Sequence, residues 1–259
     1  MRQPRLAEMV ASALRERIVN GDLADGDLLP GLDHLVKEFG VSPPSLREAL
    51  RILENEGLIT VRRGNVGGAV VHRPKPESAA YMLGLVLQAE QVPVVDLVQA
   101  LTYLEPMCAR LCAARSDRKR KVVPRLRQAH RDTEAALHEA VAFEEACQQF
   151  HRRLVQECGN KTVDLTVSAF EWLWYSQQVG WAHRVAVLHE YPELELRKEG
   201  INAHAEILGA IEDGDEQLAE RLAAEHLRHP RIRAMGEAGN TTVKASTLWA
   251  GRSNAPSSD

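Results

Sequence analysis

The sequence predicts a mainly α protein in two parts, an N-terminal winged helix-turn-helix and a C-terminal all-α bundle of six or seven helices. Three observations carry this. Residues 41–58, VSPPSLREALRILENEGL, read as a helix with a sharp start and a polar, basic first turn. A short Gly-rich, Arg-bearing hairpin follows at 58–71. Apolar residues then recur at helical spacing from 78 to 235, with no β-branched alternating run.

In chain order, residues 5–20 place Leu6, Met9, Val10, Ala13, Leu14 and Ile18 on an amphipathic helix that ends at Gly21-Asp22. A second, shorter helix spans 32–39, with Leu35, Val36 and Phe39 inward. In the third, Ser42 is the N-cap and Pro43 takes the first helical position, where its missing N–H costs nothing. Leu46, Ala49, Leu50 and Leu53 then share one face, and Gly57 stops the run. Arg47 and Arg51 lie one turn apart on the other face. Leu58-Ile-Thr-Val and Gly68-Ala-Val-Val flank a tip that carries Arg62, Arg63 and Gly64. A helix of this kind followed by a hairpin suits duplex DNA. The expected contacts are Ser42, Ser45, Arg47, Arg51, Arg63 and Gly64. Hydroxyls and backbone N–H groups at the helix start suit phosphates, and Arg47 is the best candidate for a base edge or a phosphate. For Arg51 a solvated helix face is the plainer reading.

The expected organisation is a winged domain at 1–73, a Pro-stiffened linker at 74–77, a helical effector-binding and dimerisation domain at 78–235, and a mobile Gly/Ser/Thr/Asn/Pro-rich tail at 236–259. No apolar run reaches the roughly 18–20 residues of a membrane span, and the N-terminus lacks a signal-peptide pattern. Four cysteines do not make a disulfide scaffold, so a reducing cytoplasm is expected. The net charge is −4, and residues 1–74 hold as many acidic as basic side chains. Any DNA contact must therefore come from local placement of arginines, not from bulk attraction.

Three histidines stand out in the bundle. His151 follows Cys147 by four residues, so the two share a helix face. His204 and His226 lie near the apolar sides of two helices that the Asp213-Gly214-Asp215 turn folds back antiparallel. Cys147, His151, His204 and His226 together would suit zinc or another first-row divalent ion. Spacing alone leaves open the plainer reading, hydrogen-bonded core histidines. Trp172, Trp174 and Trp181 at helical spacing read as core before they read as pocket wall.

The stretch from VASALRERIVNGDL through FGVS and LREALRILENEGLI to the Gly-rich wing resembles the winged-helix domain of GntR-family transcriptional regulators. VDLVQALTYLEPMCARLCA, FHRRL with GN, and the paired AH and EHLRH helices resemble the FCD-type ligand domain of the FadR subfamily. The resemblance covers about 5–230. It implies a homodimer on a palindromic operator, with spacing controlled by a small organic acid bound beside a metal on three histidines and an acidic residue. Here the acidic position is Cys147, with Glu144 one turn earlier as a lesser substitute. An arginine that often holds the effector carboxylate is Leu101, four residues before Glu105. That implies a more apolar pocket, with Leu101, Glu105, Trp172 and Trp174 as candidate lining, and a larger carboxylate or acyl effector. On the DNA side, Pro43 and Asp33 stand where relatives often carry arginine, so the operator should differ. Two other readings stay open: a metal-dependent hydrolase, for which no general base stands at motif spacing, and a metal-free sensor of apolar ligands.

Overall fold

The computed structural model describes residues 5–62, 68–188, 193–235 and 241–245, with backbone alone at 178–188 and 228–235. It divides into two units, Met1–Lys75 and Pro76–Asp259.

In the first unit α1 (Leu6–Asn20) is followed by α2 (Leu32–Phe39), α3 (Pro43–Asn55), β1 (Ile59–Arg62) and β2 (Gly68–Val71). The strands pair antiparallel, Ile59 opposite Val71 and Arg62 opposite Gly68. Leu46, Ala49 and Leu53 of α3 are buried against Val10, Ala11, Leu14 and Ile18 of α1 and Leu35 of α2. The inner stripe of α1 differs from the expected one: Leu6 and Met9 are 59% and 55% exposed, while Ala7 and Ala11 are buried. Small side chains let α1 lie close against α3, and that closeness sets which face turns in. Charge pairs tie the corners. Arg15 makes a two-pronged contact with Glu56 (2.6 and 2.8 Å), Arg17 meets Glu38 at 2.9 Å, and the Glu54 carboxylate accepts from the Val61 N–H at 3.0 Å. The wing tip, with Arg63 and Gly64, lies outside the described residues.

The expected linker at 74–77 is taken up from both sides. Arg73 N–H and Lys75 Nζ both bond Asp25, at 2.9 Å each, and so belong to the first unit. Pro76 opens α4, since proline is tolerated in a first helical turn.

The second unit contains α4 (Pro76–Ala89), α5 (Val94–Ala114), α6 (Arg118–Ala135), α7 (Ala140–Gln156), α8 (Lys161–Leu188), α9 (Leu194–Asp213) and α10 (Glu216–Met235). Its core runs through Leu97, Leu101, Leu126, Phe150, Leu154, Leu173 and Ile207. Gly214 ends α9 in the left-handed conformation, φ 80°, and so reverses the chain into α10. Among the described residues no helix is long and apolar enough to cross a membrane.

Residues 241–245 depart from the expected mobile tail. Thr241 O accepts from Val94 N–H at 2.8 Å, Val243 N–H donates to Val92 O at 3.0 Å, and Ala245 N–H donates to Gln88 Oε1 at 3.0 Å. Gln177 of α8 clasps Lys244 from both sides, accepting from its N–H at 2.9 Å and donating to its carbonyl at 3.1 Å. Val243 and Ala245 are fully buried. Composition suggested mobility; backbone pairing to the α4–α5 turn and two buried apolar side chains outweigh it. Trp249 lies outside the described residues.

Gly84 sits where α4, α8 and this strap meet. A Cβ there would fall 2.8 Å from Leu173 Cδ2 and 3.3 Å from Ala245 Cβ. Gly84→Val should therefore destabilise the second unit by about 1–3 kcal/mol through overpacking. Thermal unfolding measures this, with the midpoint falling by several degrees.

Candidate metal centre and nucleic-acid interface

α7, α9 and α10 each deliver one imidazole to a common point. His204 Nε2 lies 3.1 Å from His226 Nε2 and 3.4 Å from His151 Nε2, and His226 Nε2 lies 3.3 Å from His151 Nε2. The three nitrogens form a nearly equilateral triangle. Three imidazole nitrogens each about 2.0–2.1 Å from one ion would lie roughly 3–3.4 Å apart, so the residues present fit a metal of zinc's kind.

The surroundings explain the arrangement. Glu105 of α5, fully buried, places a carboxylate oxygen 2.5 Å from His151 Nδ1, a short ion-pair contact outside hydrogen-bond alignment. A carboxylate on the Nδ1 side favours the proton there and turns the Nε2 lone pair inward, the usual support of a metal-binding histidine. Phe150 stacks on His204, ring centroids 3.9 Å apart and planes at 11°. His204 is fully buried, and its Nδ1 has no hydrogen-bond partner among the described residues. Burial first, then the neighbouring His151, His226 and His130, which disfavour a second charge beside them, hold His204 well below its ordinary pKa of 6.5. It is neutral at physiological pH, as a metal ligand must be.

Cys147 is not among the donors that meet; among the described residues the cluster is His151, His204 and His226. Burial, with Glu144 beside it, pushes the Cys147 thiol up and away from the thiolate a metal needs. Burial also raises the Glu144 carboxyl, against the pull of Arg197 and His151. Of the expected pocket residues, Leu101 is fully buried in the core and Glu105 stands behind His151. Trp174 is buried, and Trp172 is half-buried with the Arg152 guanidinium 5.1 Å from its ring centre. The Trp181 side chain lies outside the described residues. Sequence reasoning missed the Glu105–His151 pairing, because no spacing relates position 105 on one helix to position 151 on another.

On the first unit the start of α3 is open to solvent. Ser42 Oγ accepts from the Ser45 N–H at 3.4 Å and lies 3.0 Å from Ser45 Oγ. Arg47 is exposed and has no ion-pair partner among the described residues. Arg51, 73% exposed, leans on Glu48 at 3.4 Å, the solvated pair of an ordinary helix face.

A helix-turn-helix with a two-stranded wing, joined in one chain to a helical domain that gathers three histidines able to hold a metal, defines a ligand-responsive regulator of transcription. Residues 6–70 match the model of bacterial regulatory proteins of the gntR family, and residues 96–229 match the FCD domain. The chain belongs to the GntR family, in the form that carries an FCD domain, and is a DNA-binding transcriptional regulator with a ligand-binding helical domain. The HTH-type transcriptional repressor NanR of Klebsiella aerogenes is 27% identical over 231 residues, covering 86% of this chain and 83% of that protein. NanR of Cronobacter sakazakii is 26% identical over 230 residues, with 86% and 83% covered. A solved structure, Streptococcus agalactiae GntR, has a TM-score of 0.64 at 21% identity over 88% of this chain and 99% of that one, and so shares the fold. These matches are to regulators, and nothing among them supports the hydrolase reading.

The neutral His204 gives a pH signature. Above pH 6.5 folded and unfolded states both leave it uncharged; below, the unfolded chain takes up a proton that the folded site refuses. Folding stability in chelator should thus fall as pH drops below 6.5, by up to about 1.4 kcal/mol per pH unit from this group. Urea unfolding from pH 7.5 to 5 should show the loss in wild type and a smaller one in His204→Gln.

Proposed function

We propose that this chain is a homodimeric transcriptional repressor of the FadR-subfamily type, working in the cytoplasm on a palindromic operator. In this reading a carboxylate or acyl-type effector enters the helical domain beside a first-row divalent ion, zinc first, held by His151, His204 and His226. The observation that carries the sensor is the triangle of Nε2 atoms with Glu105 behind it. The repressor sign is supported by the printed function of the NanR relatives.

The chain's own residues divide the work. The ion, when bound, supplies positive charge and open coordination positions for an effector oxygen. Glu105 fixes the His151 ring and its tautomer, and Phe150 holds the plane of His204. Leu101 supplies no cation, and Trp172 and Trp174 offer aromatic surface, so the effector favoured is larger and more apolar than a small hydroxy acid. In the winged unit, the Ser42 and Ser45 hydroxyls at the start of α3 meet phosphate, while Arg47 reaches a base edge or a phosphate. Arg63 and Gly64 of the wing are proposed as further contacts. The effector would act by favouring one spacing of the two winged units of a dimer over another.

A gel shift with the DNA upstream of its own gene tests the operator half. Arg47→Ala should lose about 1–3 kcal/mol of operator affinity, whereas Arg51→Ala, already paired to Glu48, should lose much less. No shift with wild type at low salt would overturn the reading. Zinc titration tests the sensor half: Glu105→Gln should weaken binding roughly 10–100-fold, and His204→Ala should abolish it. Absence of any bound metal in wild type would favour a metal-free sensor instead.

A further inference from the structure

His151 has Glu105 behind it, but no carboxylate stands behind His204 among the described residues. The His204 ring is fully buried and its Nε2 is turned into the triangle. Its Nδ1 is buried as well, with no hydrogen-bond partner among the described residues. A histidine that ligates through Nε2 keeps its proton on Nδ1 and gives it to an acceptor. Leaving that N–H unpaired in a core is costly. A second buried nitrogen of the same kind lies on α6. The His130 side chain is 12% exposed, and its Nδ1 is buried, again with no hydrogen-bond partner among the described residues.

The helices bring these two atoms to one level. α6 and α9 run antiparallel and are clasped at both ends. Arg118, the first residue of α6, donates to Glu212 O and Asp213 O at the end of α9, at 3.3 Å each. Arg197, near the start of α9, donates to Leu137 O just past the end of α6, at 3.1 Å. From this second clasp His204 lies seven residues along α9, and His130 seven residues back along α6. Seven residues make two turns, about 10 Å, and return a side chain to the same face. His130 continues the inward stripe of Val123 and Leu126, which share one core with Ile207, Leu208 and Ile211 of α9. Thr133, further along that stripe, turns its hydroxyl to its own helix and donates to Ala129 O at 3.0 Å.

The two rings are also complementary in their protons. The Glu134 carboxylate, one turn on along α6, lies 3.7 Å from His130 Nε2. It favours the proton on that nitrogen and leaves a lone pair on the inward Nδ1. His204 needs the opposite form, with the proton on Nδ1 and the lone pair on Nε2.

We propose that His130 is a positioning residue for the metal centre: its Nδ1 accepts the His204 Nδ1–H, directly or through one water, and so keeps the His204 Nε2 lone pair on the triangle. In this role His130 touches neither the ion nor the effector. Glu134 and His130 serve His204 from α6 as Glu105 serves His151 from α5. The role at the metal rests on the reading above; the pairing of the two rings does not.

Zinc titration of the full chain gives one readout. His130→Phe, which keeps a ring and removes the acceptor, should weaken zinc binding roughly tenfold. His130→Gln, whose side-chain oxygen accepts, should keep most of the affinity. Nitrogen NMR of the histidine rings in the zinc-free chain gives the other. His204, identified by the signal lost in His204→Gln, should carry its proton on Nδ1. In His130→Phe the Nε2–H form should gain, and in His130→Gln the wild-type signature should return. An unchanged His204 signature in His130→Phe, or equal losses in the two variants, overturns the proposal. A shift as large in Thr133→Val gives the acceptor role to Thr133 and overturns it too. A changed signature with unchanged zinc affinity overturns the role at the metal alone. Failure of wild type to bind zinc overturns the metal reading instead, and the zinc-free spectra still decide the pairing.

Discussion

Three imidazole nitrogens 3.1–3.4 Å apart need either a shared N–H or something positive between them. Neutral histidines that keep their protons on Nδ1 bring lone pairs that repel, and protonated ones bring charges that repel more. The bundle nevertheless holds His151, His204 and His226 together from three helices, inside a core that includes Phe150, Leu154, Ile207 and Leu227. A fully buried carboxylate, Glu105, completes the set. Burying such groups costs several kcal/mol that apolar side chains of the same volume would avoid. The rest of the bundle is built to hold this point: α5 supplies the carboxylate, the Gly214 turn brings α9 and α10 side by side, and Phe150 covers His204.

The DNA-binding unit solves a different electrostatic problem. Its basic and acidic side chains balance, so no general attraction draws it to a polyanion. What differs is which arginines are engaged. Arg15 and Arg17 are spent on Glu56 and Glu38, holding the corners of the module, and Arg51 leans on Glu48. Arg47 stands in the open beside the start of α3, where Pro43 and Pro44 carry no N–H, Ser42 accepts the N–H groups of Ser45 and Leu46, and two serine hydroxyls lie at the surface. In the proposed reading, DNA contact falls to a small patch in a neutral domain, which favours selectivity over bulk affinity.

The strap at 241–245 shows how far the helical domain extends beyond its recognisable part. The family match ends at residue 229, yet Val243 and Ala245 are core residues and Gln177 holds Lys244 by its backbone. The strap bonds Gln88 of α4, whose first residue, Pro76, directly follows the first unit in sequence. It thus links the first helix after the boundary to α8.

Local sequence was enough to place the helices and the hairpin, because periodicity, N-cap chemistry and glycine stops act over a few residues. It was also enough to single out His151, His204 and His226, since each lies on the apolar side of a helix where histidine is uncommon. Spacing could not say whether they meet. It set Cys147 with them because four residues make one helical turn, but sharing a face with His151 does not bring a side chain to the point where α9 and α10 also arrive. It hid Glu105 behind a family comparison at Leu101, and it took a polar-looking strap for a loose tail. These were decided by contacts between residues 46 to 157 positions apart. Such contacts depend on how whole faces pack, and a linear pattern carries the faces but not their meeting.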